Sequence, residues 1–565
     1  MSAPFVPSPL QQAVFDDAAH GVGHTIVVAR AGSGKTTTIM ESLRFIPRGL
    51  SIGLFAFNRS IAQELQRRVP RGVDAKTLHA HGYKACARAF QLGDDAVRKH
   101  KVSELVCPRL FGPPVARHPV RGYYREIEEA VTKAKDTLFP LDGVDERTGS
   151  VVDVLGAMDV LCDRFGVGTP PPDVLDPETC LRCQARAPET ERCPSAGVPM
   201  PHAFPEVEYD ADGNPLPPRS PRQAFLEACI AALRACRSEK RPRVIDYSDM
   251  CWLPVVHQLR VWQYDRVLVD ETQDLSPCQI ELLMCCVRRG GRITVIGDPA
   301  QALYGFRGAD EHTIDVLEDR LNAKVLPLSV TYRCCRAVVD LARREVPDLI
   351  AAPGAPQGRV DAADTDQLVS RSRPGDMVVS RSNAPLFGLC WKLLLSGKRA
   401  AVKGRDIGDG VCRFIERFDV ATVLELVAAA TAWRDAEVER LEALNRDLAP
   451  VVDRFECVVA LTEGETLVLD VLAKARRLFI SDKAVEDGDV DQAELIVLGT
   501  THKLKGLEAD RVWMLEDTYR PEKGGEEGRC WYVAVTRAKT QLFLTRRKDD
   551  ELGRRRVKGR ADAAA

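Results

Sequence analysis

The chain has 565 residues and a formal net charge of −2, with 79 Lys and Arg residues against 81 Asp and Glu residues. At roughly 150 residues per domain, this length predicts three or four domains. The near-neutral charge excludes a uniformly basic surface, so any nucleic-acid binding must come from local patches. The longest apolar stretch, residues 420–433, is too short to span a bilayer, and no signal peptide is indicated. We therefore expect no membrane partner and a cytoplasmic protein whose 18 Cys residues stay reduced.

The first strong pattern lies at residues 25–39, where a β-branched apolar run predicts a buried strand followed by a glycine-rich turn and a helix. Glycines let backbone N–H groups close around phosphate oxygens, and a helix N-terminus favours negative charge. Lys35 would reach the β- and γ-phosphates, and Thr36 would bind Mg²⁺. The strict template has a glycine where this chain has Ala29, and the alternative is an ordinary glycine-rich turn. The predicted phosphate-binding residues are Ala31, Gly32, Ser33, Gly34, Lys35, Thr36 and Thr37.

Short apolar strands and amphipathic helices then alternate along most of the chain, which is typical of an α/β fold with parallel sheets covered by helices. The strand at 325–328 is expected to open a second αβ unit. We predict strands at residues 25–28, 51–57, 75–79, 266–269, 293–296, 325–328, 377–380, 494–498, 512–515 and 541–545. We predict helices at residues 11–19, 61–69, 82–90, 223–237, 279–287, 336–344 and 529–539.

Two stretches interrupt this alternation. Residues 96–221 contain helical patterns at 123–137 and 151–165, followed by a proline-rich stretch that favours irregular structure. Residues 411–488 have a helical pattern almost throughout. We interpret both stretches as insertions into α/β domains, and we expect the charged tail, residues 547–565, to be disordered.

Two adjacent carboxylates, Asp270 and Glu271, directly follow a predicted buried strand. Open α/β sheets place ligands at the carboxyl ends of their strands. Asp270 fits the Mg²⁺ partner that phosphate-loop ATPases place there, and Glu271 fits the base that deprotonates the attacking water. The alternative is an acidic cap on the first turn of a helix, which the presence of a phosphate loop disfavours.

A polar and aromatic segment follows the strand predicted at 293–296. Gln301 is expected just past the strand end, where it can sense a γ-phosphate. Tyr304, Phe306 and Arg307 would present aromatic and cationic faces to bases, which suits single strands without sequence readout. The alternative is that the aromatic side chains pack in the core.

The proline-rich part of the first insertion contains Cys180, Cys183, Cys193 and His202. Their spacing is compatible with a Zn²⁺ site, although only the first two form a tight CxxC pair. The alternative is unpaired thiols in an irregular segment.

In chain order, these motifs resemble those of superfamily 1 DNA helicases of the UvrD/Rep type. Segments 32–36, 270–274 and 297–309 resemble the early motifs, and 331–333, 500–508 and 526–539 resemble the fourth, fifth and sixth. Phe57 and Asn58, together with segment 245–250, are most similar to the F-box DNA helicase branch and its compact phage-type relatives, although we see no F-box. The resemblance covers about residues 8–95, 222–410 and 490–546.

The resemblance implies two RecA-like parallel-sheet domains of the P-loop NTPase type, with ATP and Mg²⁺ between them. The first domain would comprise residues 1–95 and 222–326, interrupted by a mainly helical insertion at 96–221. The second would comprise residues 327–410 and 489–546, interrupted by a short helical insertion at 411–488. The resemblance also implies ATP-driven movement along single-stranded DNA with 3′-to-5′ polarity.

Residue roles follow from the same resemblance. Arg333 and Arg537 would act as arginine fingers, Tyr332 would stack on adenine, Glu508 would lie near the ribose or the γ-phosphate, and Gln11 would read the adenine. The alternatives are a core tyrosine for Tyr332, a solvated arginine for Arg537 and, for His502, a structural histidine. The implied catalytic residues are Lys35, Asp270, Glu271, Gln301, Arg333 and Arg537. The implied DNA-contacting residues are Phe57, Asn58, Thr77, His79, Tyr304, Phe306, Arg307 and His502.

We expect an ATP-dependent DNA helicase or translocase that acts in replication, recombination or repair. One alternative is a single-strand translocase that removes bound proteins with little unwinding, because the second insertion is short. Another is a non-catalytic DNA-binding scaffold with a vestigial ATP site. These residues leave RNA open as a substrate, since stacking on aromatic side chains does not read the sugar. The expected partners are single-stranded and duplex DNA and accessory replication or repair proteins. We expect a monomer that is cytoplasmic and nucleoid-associated or, if viral, inside the host cell.

Overall fold

The computed structural model describes residues 5–111, 123–144, 150–165, 167, 221–303, 313–443, 448–480 and 494–547. Within these residues the chain forms an α/β fold around two large parallel sheets and one two-stranded sheet. The α/β class with parallel sheets, expected from the sequence, is confirmed. None of the described helices is long and apolar enough to cross a membrane.

The first sheet is built around the strand that precedes the glycine-rich turn. Its strands are β1 (Thr25–Ala29), β2 (Ile52–Ala56), β3 (Val73–Thr77), β4 (Tyr264–Val269), β5 (Val287–Gly297) and β6 (Lys324–Leu328). Their order across the sheet is β3-β2-β4-β5-β1-β6, and every neighbouring pair is parallel. The carboxyl ends of the strands therefore share one edge, which is where such sheets bind ligands.

The helices of this first unit begin at well-defined caps. The side chains of Ser8, Asn58 and Thr77 each accept a hydrogen bond from a backbone N–H in the first turn of a helix, which fixes where the helix starts. The helices are α1 (Pro9–His20), α2 (Lys35–Ser42), α3 (Arg59–Arg68), α4 (Leu78–Phe90), α5 (Cys107–Phe111), α6 (Tyr124–Thr137), α7 (Val154–Phe165), α8 (Pro221–Ser238), α9 (Asp249–Val256), α10 (Pro277–Cys285) and α11 (Thr313–Leu321).

The described helices of the first insertion share the core of the first sheet. Ile127 of α6 and Met158 of α7 are fully buried in the same apolar cluster as Val267 of β4. Lys135 of α6 is also fully buried, and its Nζ lies 2.7 Å from Oδ1 of Asp249 in α9. Removing one partner of a buried ion pair strongly destabilises a protein. The pair therefore fixes α6 against the first unit.

The second unit is built on a seven-stranded parallel sheet in the order β12-β11-β13-β10-β14-β15-β9. Its strands are β9 (Arg359–Asp364), β10 (Met377–Ser380), β11 (Ala400–Lys403), β12 (Phe479–Ile480), β13 (Ile496–Thr500), β14 (Ala509–Leu515) and β15 (Ala538–Arg546). A separate pair is formed by β7 (Val330–Thr331) and β8 (Ile350–Ala351).

Helices cover this second sheet and also form the second insertion. Leu426 and Val471, from the segment predicted to be inserted, are buried together with Leu498 of β13, so that segment shares the core of the second sheet. The helices are α12 (Arg336–Ala342), α13 (Thr365–Arg371), α14 (Ala384–Leu395), α15 (Arg405–Glu416), α16 (Val423–Ala443), α17 (Ala449–Thr462), α18 (Val468–Leu478), α19 (Thr501–Leu504) and α20 (Gly525–Val535).

The strand predicted at 75–79 ends at Thr77, and the strand predicted at 293–296 begins already at Val287. Two further differences follow from strand pairing. The strand at Lys324–Leu328 closes the first sheet instead of opening a second unit, because it pairs in parallel with β1. The first sheet therefore continues past the boundary expected at residue 326. The helix predicted at 529–539 ends at Val535, and Ala538 already begins β15, which pairs with β14. In both places the local structure is determined by strand pairing, and the partner strand is distant in the sequence.

Candidate active site

A cleft of about 710 Å³ lies where the carboxyl edge of the first sheet faces the second unit. From the first unit it is lined by Gly32, Ser33, Gly34, Lys35, Thr36, Thr37, Phe57, Asn58, Ile61, Glu271, Asp274 and Gln301. From the second unit it is lined by Tyr332, Arg333, Lys403, His502, Lys503, Lys505, Gly506, Glu508 and Arg537. Most of the residues predicted to bind the nucleotide thus lie in one cavity.

The glycine-rich turn adopts the conformation that a phosphate cradle needs. Gly32 and Gly34 have φ values of 72° and 79°, in the left-handed region that favours glycine, and α2 begins directly afterwards at Lys35. Ser33 is 2% exposed, and its Oγ has no hydrogen-bond partner among the described residues. A buried hydroxyl without a partner is costly, and a phosphate oxygen would satisfy it. The turn therefore fits a nucleotide triphosphate.

The two carboxylates after β4 face the phosphate-binding turn. Thr36 Oγ1 lies 3.3 Å from Oδ2 of Asp270, and Lys35 Nζ lies 3.2 Å from Oε2 of Glu271. A hydroxyl and a carboxylate at this spacing are the oxygen donors that Mg²⁺ prefers. The pair Thr36 and Asp270 therefore fits the predicted metal site.

Glu271 has an unusual backbone conformation, and its side chain is bound by a neighbour. Its φ is 53°, which is uncommon for a residue other than glycine, and its Oε2 accepts a hydrogen bond of 2.6 Å from Gln273. Burial favours its neutral form, but the charges of Lys35 and Lys505 outweigh this and lower the pKa of Glu271. Burial and the adjacent Glu271 raise the pKa of Asp270. Glu271 is thereby kept as a carboxylate able to accept a proton.

Gln301 connects the end of β5 with the second unit. Its Nε2 donates to Oδ2 of Asp298 over 2.7 Å, and its backbone carbonyl accepts a hydrogen bond of 2.7 Å from Lys505. The same Lys505 ammonium also donates to Asp274, at 2.6 and 2.8 Å from its two carboxylate oxygens. A single cation of the second unit thus contacts two segments of the first unit that follow neighbouring strands.

Two guanidinium groups of the second unit reach the cleft. Arg333 pairs with Glu508, and its Nη1 lies 3.3 Å from the carbonyl oxygen of Thr536. Arg537 is 1% exposed and donates to the carbonyl oxygens of Val533 and Leu507 at 2.8 and 3.0 Å. Within the described residues it forms no ion pair, and burial together with Arg333 lowers the pKa of Arg537 to about 9. A buried cation without a counter-ion is costly, and an anionic ligand in the cleft would stabilise it.

Only some of the other residues predicted to contact the nucleotide lie in the cleft. Tyr332 is 51% exposed at the cleft, and its backbone N–H donates to the carbonyl of Gly32 over 2.8 Å, so the core alternative for this tyrosine is wrong. Glu508 also lies in the cleft. Gln11 is buried next to the turn, where its Nε2 lies 3.2 Å from Oγ1 of Thr38, and it is not among the residues that line the cleft. Its adenine-reading role stays a prediction.

The predicted DNA-contacting residues divide into three groups. Phe57 and Asn58 line the cleft where β2 ends, and His502 lines its far wall, with Nε2 3.1 Å from the carbonyl oxygen of Leu303. Thr77 and the half-buried His79 lie at the start of α4, outside the cleft. Outside the described residues lie Tyr304, Phe306 and Arg307, together with the predicted zinc ligands Cys180, Cys183, Cys193 and His202.

Sequence reasoning missed several contacts across the cleft. Arg30 pairs with Asp298 of the first unit and with Asp348 of the second. The backbone N–H of Ala31 donates to the hydroxyl of Tyr532 over 3.1 Å. The partners of Arg30 lie 268 and 318 residues away in the sequence and carry no local signal.

The fold and the cleft define a P-loop nucleoside-triphosphate-binding protein with a composite site between two parallel-sheet units. Residues 224–322 match the model of the UvrD/REP helicase N-terminal domain, and residues 418–549 match that of the UvrD-like helicase C-terminal domain. In both regions the chain is similar to UvrD-like helicases of superfamily 1, as its motifs indicated.

Individual relatives agree with this family. The chain is 26% identical over 341 residues to the ATP-dependent DNA helicase UvrD2 of Mycobacterium tuberculosis, covering 50% of this chain and 47% of that protein. It is 26% identical over 318 residues to F-box DNA helicase protein 1 of Schizosaccharomyces pombe, covering 50% and 34%. It is 30% identical over 129 residues to the ATP-dependent DNA helicase PcrA of Leuconostoc citreum, covering 21% and 17%. The matches thus span about half or less of each relative's length.

Proposed function

We propose that this protein is an ATP-driven motor that moves 3′ to 5′ along single-stranded DNA and unwinds duplex DNA in replication, recombination or repair. The observation that carries the proposal is the composite cleft. The phosphate-binding turn comes from the first unit, whereas Arg333 and Arg537 come from the second. A site divided in this way can turn ATP binding and hydrolysis into relative movement of its two halves.

Residues of the first unit would hold the triphosphate. The backbone of residues 31–37 and the unpartnered hydroxyl of Ser33 would contact its phosphates. Thr36 and Asp270 would hold Mg²⁺, whose charge neutralises the β- and γ-phosphates. Lys35 would exchange its contact with Glu271 for a phosphate oxygen, since one ammonium can serve either anion. Glu271 would then be released to orient the attacking water and to accept its proton.

The second unit would complete the site. The planar guanidinium groups of Arg333 and Arg537 would neutralise charge that develops on the γ-phosphate, for which arginine is better suited than lysine. Gln301, Asp274 and Lys505 already form a hydrogen-bonded connection between the units. A change at the γ-phosphate would alter this connection and thereby shift the DNA-binding surface.

Single-stranded DNA would pass along the carboxyl edge of the first sheet. Phe57 and Asn58 in the cleft, with Thr77 and His79 at the next strand end, would contact it from the first unit, and His502 from the second. Tyr304, Phe306 and Arg307 are proposed as further stacking and phosphate contacts. We also propose a monomeric, cytoplasmic protein, nucleoid-associated or inside a host cell if viral, that works with accessory replication or repair proteins.

A second candidate function is a single-strand translocase that removes bound proteins with little unwinding. It is favoured by the small size of the 411–488 segment, whose helices are packed into the core of the second sheet rather than forming a body of their own. Strand displacement on duplexes with either a 3′ or a 5′ single-stranded tail distinguishes the two functions, with Lys35→Ala as the inactive control. Displacement only from the 3′ tail supports the helicase. Movement without displacement, detected by removal of streptavidin from a biotinylated 5′ end, supports the translocase.

A further inference from the structure

A second cavity, of about 210 Å³, lies on the first unit beside the edge strand β3. It is formed by β3, by α4 and by the segment that leads into β4. It shares no lining residue with the cleft. Its lining residues are Asp74, Lys76, His81, Lys84, Ala85, Arg88, Arg260 and Trp262.

The charges of this second cavity are strongly unbalanced. Four of its side chains are cationic and one is a carboxylate. That carboxylate, Asp74, already accepts a hydrogen bond of 2.6 Å from the hydroxyl of Tyr264 and pairs with Lys76. Lys84 and Arg88, one turn apart on α4, are exposed at the cavity. The cavity therefore presents excess positive charge to solvent and suits an anion.

His81 supplies a buried polar group with unused hydrogen-bonding capacity. It is 2% exposed and packs edge-on against Phe55, with ring centroids 5.2 Å apart. Its Nε2 lies 2.9 Å from the carbonyl oxygen of Trp262, so Nε2 carries a proton. Its Nδ1 is buried without a partner among the described residues. Burial and then the charge of Lys76 lower the pKa of His81 to about 4, so Nδ1 is an unprotonated acceptor near neutral pH. The charge of a bound anion would favour the protonated ring, whose Nδ1–H can donate a hydrogen bond.

Trp262 adds an aromatic surface to these cations. Trp262 is 57% exposed, and its backbone carbonyl is fixed by the contact with His81. An exposed tryptophan beside several cations is the combination that binds single-stranded nucleic acid, through base stacking and backbone phosphates. An acidic peptide would use the cations but not the aromatic face. Lys76 of the cavity directly precedes Thr77, a residue of the proposed DNA path, on β3.

We propose that this cavity is a second nucleic-acid contact, in which Lys84 and Arg88 bind a backbone phosphate and Trp262 stacks on an adjacent base. The inference rests on the proposed function, because it extends the path of the single strand beyond the carboxyl edge of the first sheet. Such a contact would hold the strand on the first unit while the second unit moves.

Photo-crosslinking tests the stacking directly. A single-stranded oligonucleotide with 5-iodouracil in place of thymine should crosslink to Trp262 on irradiation, and peptide mapping should locate the adduct at residues 260–264. Trp262→Ala should abolish this adduct and weaken binding of the oligonucleotide about tenfold. Adducts confined to residues of the cleft would overturn the proposal.

Salt dependence tests the phosphate contact. In the Lys84→Ala/Arg88→Ala variant, the slope of log affinity against log salt should become shallower by about 1, because fewer counterions are released. Arg343→Ala/Arg344→Ala is a matched control, since both of its arginines are exposed on the second unit and line neither cavity. ATP turnover at saturating DNA should stay at the wild-type value in the Arg343→Ala/Arg344→Ala control.

These results separate the inference from the proposed function. If DNA stimulates ATP hydrolysis by the wild type but neither variant at the second cavity alters DNA binding, only this inference is overturned. If DNA neither binds to the wild type nor stimulates it, the proposed function fails and the inference fails with it.

Discussion

Arg30 joins the phosphate-binding turn to both units: its Nη1 lies 3.2 Å from Oδ1 of Asp298, and its Nε lies 3.0 Å from Oδ1 of Asp348. Asp298 follows β5 of the first sheet, whereas Asp348 belongs to the second unit, between α12 and β8. Arg30 thus acts as a bridge between the units.

Arg30→Ala should lower the free energy of unfolding by about 1–3 kcal/mol, because Asp298, whose side chain is 0% exposed, would lose its cation. Asp348→Ala is the matched control. It removes a partner whose side chain is 48% exposed, so it should cost less than about 1 kcal/mol. Urea-induced unfolding measures both values. Equal losses in the two variants would show that Asp298 does not depend on Arg30.

Gly32→Ala should disrupt the closed cleft. A Cβ at this position would lie 2.5 Å from both Arg333 Cβ and Thr331 Oγ1, and a φ of 72° already disfavours a side chain. Because Arg333 would be displaced, we expect DNA-stimulated kcat/KM for ATP to fall about 100-fold.

Gly49→Ala controls for the backbone cost in that experiment. Gly49 has a φ of 89°, but its Cβ would meet nothing within 4 Å. This variant should lose about 1–2 kcal/mol of stability and keep its ATP turnover. If the two glycine variants turn over ATP equally well, the close approach of the second unit at Gly32 has no role in catalysis.

Glu271→Gln should retain ATP binding and lose hydrolysis by about 10²- to 10⁴-fold, because the amide keeps the size of the side chain but cannot accept a proton. Equilibrium binding of a fluorescent ATP analogue and single-turnover hydrolysis measure the two properties separately. Glu41→Gln, in α2 but outside the lining of the cleft, is the control and should leave both unchanged. Loss of ATP binding in Glu271→Gln would instead give this residue a structural role.

Arg537→Lys should lower kcat about 10³-fold at saturating ATP and DNA. Lysine keeps a positive charge in this buried position but lacks the planar group that can contact the γ-phosphate and the carbonyl of Leu507 together. Arg343→Lys, at an exposed arginine of the second unit, should leave kcat unchanged. Thermal unfolding should establish that both variants are folded. A folded Arg537→Lys protein with wild-type kcat would exclude Arg537 as an arginine finger.

The sequence alone was sufficient to predict the parts of the site that depend on short, local patterns. A β-branched run before Gly32 and a helix starting at Lys35 predict the phosphate-binding turn, and the structure has both. Asp270 and Glu271 were recognisable because a strand of apolar residues delivers them to a sheet edge. Both features follow from rules of backbone geometry that apply to segments of fewer than about ten residues.

Contacts between segments that are distant in the sequence could not be predicted in the same way. The pairing of β6 with β1 joins segments about 300 residues apart, and nothing in either strand specifies its partner. Lys505 and Asp274 are 231 residues apart, and each alone is an ordinary charged residue. The second cavity could not be predicted from the sequence, because Trp262 and Lys84 become neighbours only after β4 and α4 have packed together.

ATP hydrolysis in Mg²⁺, measured with and without single-stranded DNA, tests the central claim most directly. If the cleft is the ATPase site of a nucleic-acid motor, DNA should strongly stimulate ATP hydrolysis in the wild type. Lys35→Ala should abolish this DNA-stimulated hydrolysis. ATP binding without any stimulation by DNA would contradict the motor and leave a DNA-binding scaffold as the better account.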